Sequence, residues 1–362
     1  MYIRNNSIPG VNSYIVKANY LYITDKHNVF EYYSNKKLFK SVVHLQYFKK
    51  HNDIVFINDN YGKGYVISEL LYSFLNEPII YFIDNIYIIY IRKNETKITV
   101  FKDTINQNII GEIPENSTVF YVESNKYIRK NFENNLVEVF LFPKGVSLWS
   151  YNLEKRYNWF QRADYVNEPT EEKVAEVTKI LGVYNDELWL VLNSGAILSL
   201  NIETGKESRF INEGKMMLGE SDFENFKGYF GTDTVLDKKK GLIFNLNRHF
   251  YIEYNLKSNQ IQFESYSFKE LFLTHQLNLN YIGGFDEENI YAYEGSDNNC
   301  FAIFCRLQKK IIWYGEIEEV KGKFPAIRDM QFDAGKIYLL DHYCTLHIFE
   351  KEKIVNLKES SE

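Results

Sequence analysis

The most constraining feature of the sequence is a strand–turn–strand unit that recurs along the chain. Four stretches overlay without gaps: LWSYNLEKRYNWFQ from Leu148, ILSLNIETGKESRF from Ile197, YIEYNLKSNQIQFE from Tyr251 and AIFCRLQKKIIWYG from Ala302. A fifth copy, LHIFEKEKIVNL, starts at Leu346, and looser copies lie around Tyr33, Ser68 and Lys102. The turn positions Asn152, Asn201, Asn255, Arg306 and Glu350 are about 50 residues apart, which is typical of propeller repeats.

Upstream of each hairpin lies another pair of segments in which apolar and polar residues alternate, as in ELWLVLN at Glu187 and KIYLLD at Lys336. Four strands therefore make one module, and a ring of such modules buries both faces of every sheet. We predict an all-β fold, a single closed β-propeller domain over residues 1–362 with four-stranded blades. Eight modules begin near Asn12, His44, Glu77, Asn116, Lys173, Gly228, Gln276 and Pro325. Seven is the alternative count, and a pair of β-sandwiches is the rival architecture.

Composition agrees with strands, because aromatic residues make up 17% of the chain. No apolar run reaches the roughly 18 residues of a spanning helix, and the N-terminal segment does not resemble an export signal, so we expect no membrane partner. The three cysteines, Cys300, Cys305 and Cys344, are an odd number in a long chain and indicate a reducing, cytoplasmic location. The net charge of −6 and the lack of a basic tract argue against a nucleic-acid partner and permit a basic protein partner.

One module resembles a known repeat family. NSGAILSLNIETGKESRF from Asn193 is similar to a quinoprotein-like blade, in which a strand runs into a Thr-Gly turn, here Asn201 to Gly205. Trp313 occupies the late outer-strand position of another module. The resemblance implies blade shape and no cofactor chemistry, so we expect no cofactor.

The C-terminal segment PAIRDMQFDAGKIYLLDHYCTLHIFEKE from Pro325 resembles the closing part of bacterial propeller-like proteins associated with polymorphic toxin systems. The resemblance implies an immunity protein, which blocks a toxin by covering its active surface.

Candidate catalytic and metal-binding groups are sparse. His342, Cys344 and His347 are metal-ligand types, but along one extended strand they point to opposite faces, unless the strand breaks at Tyr343 and Cys344. Cys300 and Cys305 also face opposite sides, which indicates buried, inert thiols. We therefore predict no metal site, no catalytic residue and no enzymatic activity. The alternative is a propeller enzyme, or a protein that binds a small ligand or glycan in an axial pocket.

Three connections between modules are longer than turns require: 159–172, 211–227 and 265–276. They join the last strand of one module to the first strand of the next, so we expect them on one face of the ring. Aromatic, methionine and arginine side chains are typical interface anchors. The predicted partner-binding residues are Trp159, Phe160, Arg162, Tyr165, Met216, Met217, Phe223, Phe226, Phe268, Phe272 and His275. Alternatively, these side chains pin their own loops to the ring, and FKELFL at Phe268 has the spacing of a short helix.

The favoured function is the binding and blocking of a protein partner, such as a basic toxin. A propeller enzyme and a scaffold with several partners are the alternatives.

Overall fold

The protein is described from a computed structural model. It describes residues 2–17, 20–25, 27–40, 45–51, 54–59, 63–67, 72–75, 77–93, 96–115, 117, 119–131, 135–161, 171–212, 229–247, 250–257, 262–295 and 299–351. The chain forms two compact units, Met1–Phe48 with Leu277–Glu362, and Lys49–Gln276.

The first unit contains three four-stranded antiparallel sheets. The first consists of β2 Ser13–Lys17, β3 Tyr20–Thr24, β4 Asn28–Glu31 and β5 Lys36–Lys40, and the second of β28 Tyr281–Phe285, β29 Asn289–Tyr293, β30 Cys300–Cys305 and β31 Lys310–Glu316. The third contains β32 Ile327–Asp333, β33 Lys336–Asp341, β34 Leu346–Lys351 and, at its outer edge, β1 Tyr2–Ile8.

The second unit contains four further four-stranded sheets. They are β10 Ile79–Ile83, β11 Ile86–Lys93, β12 Thr96–Asp103 and β13 Ile109–Ile113; β14 Phe120–Glu123, β15 Lys126–Asn131, β16 Leu136–Leu141 and β17 Val146–Asn152; β20 Val177–Tyr184, β21 Glu187–Leu192, β22 Ile197–Asn201 and β23 Glu207–Ile211; and β24 Val235–Asp237, β25 Leu242–Asn247, β26 Phe250–Asn255 and β27 Gln262–Ser267. A two-stranded ladder joins β18 Trp159–Gln161 to β19 Glu171–Lys173, and the α-helix α1 covers Lys269–His275.

One more sheet contains β6 Leu45–His51, β7 Ile54–Asp59, β8 Gly64–Ile67 and β9 Tyr72–Leu75. The β7–β8 and β8–β9 registers are described, whereas the register between β6 and β7 lies outside the described part of the chain. The other seven sheets have all three ladders described. The described residues thus form eight four-stranded sheets, one near each predicted module start, and the described pairings complete seven of them as blades, which is the alternative count.

The outer strand of the last blade also differs from the prediction. The hairpin copy LHIFEKEKIVNL places a second strand after Leu346, near Ile354, a segment outside the described residues. In the structure β34 pairs with β33 on one edge and with β1 on the other, with Tyr2 opposite Lys351 and Ile8 opposite Leu346. Both edges of β34 are therefore paired. The outer strand of the last blade is β1, which comes from the other end of the sequence.

Within each unit the sheets pack face to face. In β21, alternate side chains enter different cores: Leu188, Leu190 and Leu192 pack against the β14–β17 sheet, whereas Trp189 and Val191 pack against the β24–β27 sheet. Both faces of β21 are therefore buried, which corrects the alternation predicted for this strand and matches its five consecutive apolar residues, Leu188 to Leu192. In the first unit the last blade packs against β28–β31 on one face and against β2–β5 on the other.

The thiols follow the sequence prediction. Cys300 and Cys305 lie at the two ends of β30, and both are buried and free. Burial raises the pKa of the Cys300 thiol to about 12. Because the thiolate is the reactive form, this thiol is inert at neutral pH.

Candidate functional site

The connections between blades leave the sheets at one edge. In an antiparallel four-stranded sheet the fourth strand ends at the edge where the second strand ends, and the next first strand begins there. We call this edge of each sheet the crossover edge. Polar side chains at or near the end of the second strand hold the connections in place: Asn131 donates to Glu115, Asn193 to the Val174 carbonyl and Asn245 to the Tyr229 carbonyl, and Glu294 accepts from Asn280.

Asn193 shows how one such residue organises a connection. Its Nδ2 donates to the Val174 carbonyl oxygen at 2.9 Å, and its Oδ1 accepts from the Glu176 backbone N–H at 3.1 Å. The same Oδ1 accepts from the indole Nε1 of Trp159 at 3.1 Å. This single amide therefore fixes both ends of the connection that precedes its own blade.

The connection held by Asn193 carries the β18–β19 ladder, which has no counterpart in the four-stranded pattern. Asn158 closes the base of the ladder, because its Oδ1 accepts from the Ala175 N–H at 3.1 Å and its Nδ2 donates to Glu172 at 2.9 Å. Val174, just beyond the ladder, is exposed. The ladder is thus an addition to the blade repeat on a firmly bonded base.

The segment before β18 is fastened to the next blade. Tyr157 and Arg156 both donate to the Glu207 carboxylate on β23, and the Arg156 guanidinium lies over the Tyr157 ring. The Tyr157 hydroxyl also bonds Tyr151 at 2.7 Å. Burial and the neighbouring Glu207 raise the pKa of Tyr157, so this phenol stays neutral and keeps donating.

Helix α1 occupies the third predicted connection, which agrees with the helix-like spacing of FKELFL. Phe268 precedes the helix and is buried, Phe272 is half-buried, and His275 is exposed. Leu273 is also exposed. Burial of Phe268 agrees with the alternative in which a side chain holds its own connection against the blades. The hydrogen bond from Trp159 to Asn193 agrees with the same alternative.

The remaining predicted partner-binding residues fall outside the described side chains. Phe160 lies in β18, but its side chain is not described. The others lie in stretches outside the described residues: Arg162, Tyr165, Met216, Met217, Phe223 and Phe226. Their contact with a partner stays a prediction.

A second surface lies on the outer strands of two neighbouring blades, and the sequence analysis did not single it out. Its members are exposed apolar side chains: Ile109 and Ile110 on β13, and Val146 and Leu148 on β17. We call these four residues the lateral strip. Ile110 and Leu148 each sit at a β-bulge, where the pairing skips one residue of the outer strand.

Two glycines bring the halves of the lateral strip together. A Cβ at Gly111 would overlap the carbonyl oxygen of Pro143, and a Cβ at Gly145 would overlap that of Glu112. The backbone of β13 therefore touches the turn before β17 with no side chain between them. Only glycine allows two backbones to approach so closely.

The next outer strand in this unit has a polar surface instead. At the bulge of β23 the residue is Ser208, and it is flanked by Glu207 and Arg209. Arg209 pairs with Glu187. The lateral strip therefore ends at this blade, where the bulge of the outer strand carries a polar residue.

A third cluster joins three strands of the last blade. His347 Nε2 lies 2.8 Å from Asp341 Oδ2, and His347 Nδ1 lies 3.0 Å from Ser7 Oγ. Asp341 and His347 are buried, whereas Ser7 is exposed on β1. The strand break within HYCTLH covers residues 342–345 and so includes Tyr343 and Cys344, as in the alternative, and His347 faces Ser7 and Asp341.

The part of the chain that is described contains no group of three or more His, Cys, Asp or Glu side chains arranged to hold a metal ion. Within the same residues no helix has the length and apolar character that a membrane span requires.

A carboxyl group also lies on an inner strand of the first unit. Asp329 on β32 accepts a hydrogen bond from Gln331 Nε2 at 3.0 Å, and Gln331 also accepts from the Val16 N–H at 3.0 Å. Burial raises the pKa of Asp329.

Comparison with known proteins supports the fold of the chain and assigns the chain to no family. No protein-family model matches the sequence, and no curated protein matches it either. The solved structures it resembles include a computationally designed protein, Ika8, at 12% identity and a TM-score of 0.60, covering 95% of this chain and 96% of that one.

Two natural proteins are similar to the same degree. BamB from Moraxella catarrhalis is 10% identical with a TM-score of 0.57, covering 97% of this chain and 98% of that chain. The Cps50 (Swd1) beta-propeller domain from Myceliophteria thermophila is 10% identical with a TM-score of 0.53, covering 97% of this chain and all (100%) of that domain. At these identities the likeness concerns the fold alone. The chain has an all-β β-propeller fold built from four-stranded blades.

Proposed function

We propose that this protein works by binding a protein partner rather than by turning over a substrate. The lateral strip is the observation that carries the proposal. Its four apolar side chains stay exposed although the facing sides of the two blades pack together in a shared core. Contiguous exposed apolar residues mark interaction surfaces, because leaving them in water costs free energy that a partner recovers.

The bulges indicate how a partner meets this surface. Ile110 and Leu148 interrupt the regular spacing of the outer strands, which disfavours a partner strand that extends the sheet. The partner therefore contacts the strip with side chains. Nothing in this mode of contact requires a cofactor.

The test compares a variant that removes apolar surface from the lateral strip with one that removes it from the same kind of position on another blade. Ile110→Ser with Leu148→Ser removes the centre of the strip, where the side chains are 40% and 44% exposed. Ile312→Ser is the matched control, because Ile312 is 47% exposed and occupies the same bulge position on β31. Each tagged protein is recovered from its own cells, and bound proteins are quantified by mass spectrometry.

We expect one stoichiometric partner with the wild type and with the control, and loss of that partner with the double variant. Equal recovery in all three proteins would place the binding surface elsewhere. Recovery of a metabolite or glycan with no protein would favour the alternative of an enzyme or a small-ligand-binding propeller.

The inter-blade connections form a second proposed contact surface, carried by Arg162, Met216 and Met217. Support comes from the described base of the first connection, where the β18–β19 ladder is added to the repeat and Val174 is exposed. Replacing the three residues by alanine should weaken binding of the same partner. Leu307→Ser is the control, because Leu307 is exposed in a turn between the third and fourth strands, at the opposite edge of its blade.

We also propose that β1 closes the propeller into a ring. The pairing of β1 with β34, and the packing of the last blade against β2–β5, support this idea within the first unit. Such pairing of the two chain ends in one blade leaves no open sheet at the start or end of the repeat.

The finer hypothesis is that the partner is a basic toxin, blocked in a bacterial cytoplasm. The net charge of −6 supports a basic partner through electrostatic attraction. Co-expression with the recovered partner tests it: the partner should arrest growth alone and lose that toxicity in the presence of this protein. A harmless or acidic partner would contradict the immunity hypothesis and leave the binding proposal standing.

A further inference from the structure

The Ser7–His347–Asp341 cluster has the connectivity of an activated hydroxyl. A carboxylate accepts hydrogen bonds, so the 2.8 Å contact with Asp341 places the imidazole proton on Nε2. The unprotonated Nδ1 then accepts the hydrogen bond of the Ser7 hydroxyl at 3.0 Å. A hydroxyl, a base and a carboxylate that orients the base are the three parts of an activated nucleophile.

The base and its orienting group are fixed in place. Asp341 Oδ1 accepts from the Thr345 backbone N–H at 2.8 Å, which holds the carboxylate in the turn between β33 and β34. His347 is 3% exposed, so its ring has little freedom to leave Ser7. Only Ser7 faces solvent, which is what an electrophile from outside requires.

An ion pair lies beside the base. Arg4 Nη1 is 3.5 Å from His347 Nδ1 and pairs with Glu319 at 2.6 Å.

The cluster is not a product of the blade repeat. Ser7 lies two residues after the bulge of its outer strand and faces His347 on the neighbouring strand. At the same place on the other bulged outer strands, the facing residues are Asn28, Val100, Glu138, Leu198 and Ala302. Among the described blades, the imidazole therefore occurs at this position in the last one alone, and blades form without it.

We infer that Ser7 is a covalent modification site, a nucleophilic serine that takes up acyl or phosphonyl groups from small activated electrophiles. In the step, Ser7 Oγ bonds to the carbonyl carbon or the phosphorus, and the leaving group departs with its electron pair. The hydroxyl proton passes to His347 Nδ1. This property is independent of the binding proposal.

The test uses the intact protein and a fluorophosphonate probe, in which Ser7 Oγ would displace fluoride from phosphorus. Mass spectrometry maps the labelled residue and gives its rate. Ser150 is the internal control, because it lies two residues after the bulge of β17, is exposed, and faces Glu138 instead of a histidine. We expect labelling of Ser7 and none of Ser150.

Three comparisons separate activation from simple exposure. Ser7→Ala should abolish the labelling, Asp341→Asn should slow it by about 100-fold or more, and urea should remove it. If Asp341→Asn does not fold, the comparison of Ser7 with Ser150 in the wild type still decides. Labelling of Ser7 no faster than that of Ser150 would overturn the inference. The cluster would then have only the structural role of holding β1 against β34.

Discussion

Trp159 donates a hydrogen bond to Asn193 across 34 positions of sequence, and the bond joins the inserted β18–β19 ladder to the blade that follows it. The indole N–H of Trp159 thus has a structural role, because it holds the ladder against the following blade. From the sequence, Trp159 is predicted to contact a partner, because large aromatic residues are typical of interfaces. The position of its partner amide could not be read from the sequence, because the bond depends on how the connection folds back onto the crossover edge.

Asn193→Leu should lower the free energy of unfolding by about 2 kcal/mol or more, because three hydrogen bonds to the connection are lost and their partners are left unpaired. Asn193→Asp is the comparison, since it keeps the acceptor for Trp159 and Glu176 and replaces the donor to Val174 with an oxygen that the Val174 carbonyl repels. Urea unfolding measures both. Equal effects of the two substitutions would show that the acceptor is unimportant.

Gly145→Ala should destabilise the protein more than Gly322→Ala does. Both glycines have φ near +73°, so both substitutions carry the same left-handed backbone strain, about 1 kcal/mol. Only at Gly145 does the added Cβ also overlap a backbone carbonyl, that of Glu112, whereas nothing lies within 4 Å at Gly322. Thermal unfolding of the two variants gives the comparison, and similar losses would argue against backbone contact between β13 and the turn before β17.

Asp329→Asn should stabilise the protein at pH 7 and have little effect at pH 3. Burial raises the pKa of Asp329 above its ordinary value of 3.8, so the folded state binds the proton more tightly than the unfolded state does. The free energy of unfolding therefore falls as the pH rises from the ordinary pKa through the raised one. Asparagine is never charged and escapes this loss. Unfolding curves at both pH values test the sign, and a variant less stable than the wild type at pH 7 would contradict it.

Deletion of residues 2–8 should expose the edge of β34 and cause self-association. The deleted strand provides the pairing from Tyr2 to Ile8, and an unpaired edge strand recruits other strands. Light scattering during gel filtration measures the oligomeric state. Ile3→Ser is the control, because Ile3 is exposed on β1 and its loss leaves the pairing intact. A deletion variant that stays monomeric and folded would show that β1 is dispensable.

The strands themselves were predictable because their pattern is local. Alternation and the polar turns marked KIYLLD and ELWLVLN as strands, and both appear as β33 and β21. The same periodicity placed a helix at FKELFL, where α1 lies. Period and turn chemistry act within a few residues, so the sequence carries them directly.

The polar residues of the crossover edge were also within reach of the sequence. Asn193, Asn131 and Glu294 each end an apolar strand segment in the repeat, and the structure gives them the same role. The sequence signal for this position is a polar residue that recurs where the second strand of a module ends. The lateral strip was less accessible, since the exposure of Ile110 and Leu148 results from bulges that hydrophobicity does not reveal.

The sequence alone determined that this chain forms four-stranded modules and where each begins, because those properties follow from local alternation and turns. Only the tertiary structure decided that β1 completes the last blade and that Ser7 meets His347 across 340 positions. Such pairs come together through the packing of complete sheets, and neither partner carries a local signal for the other.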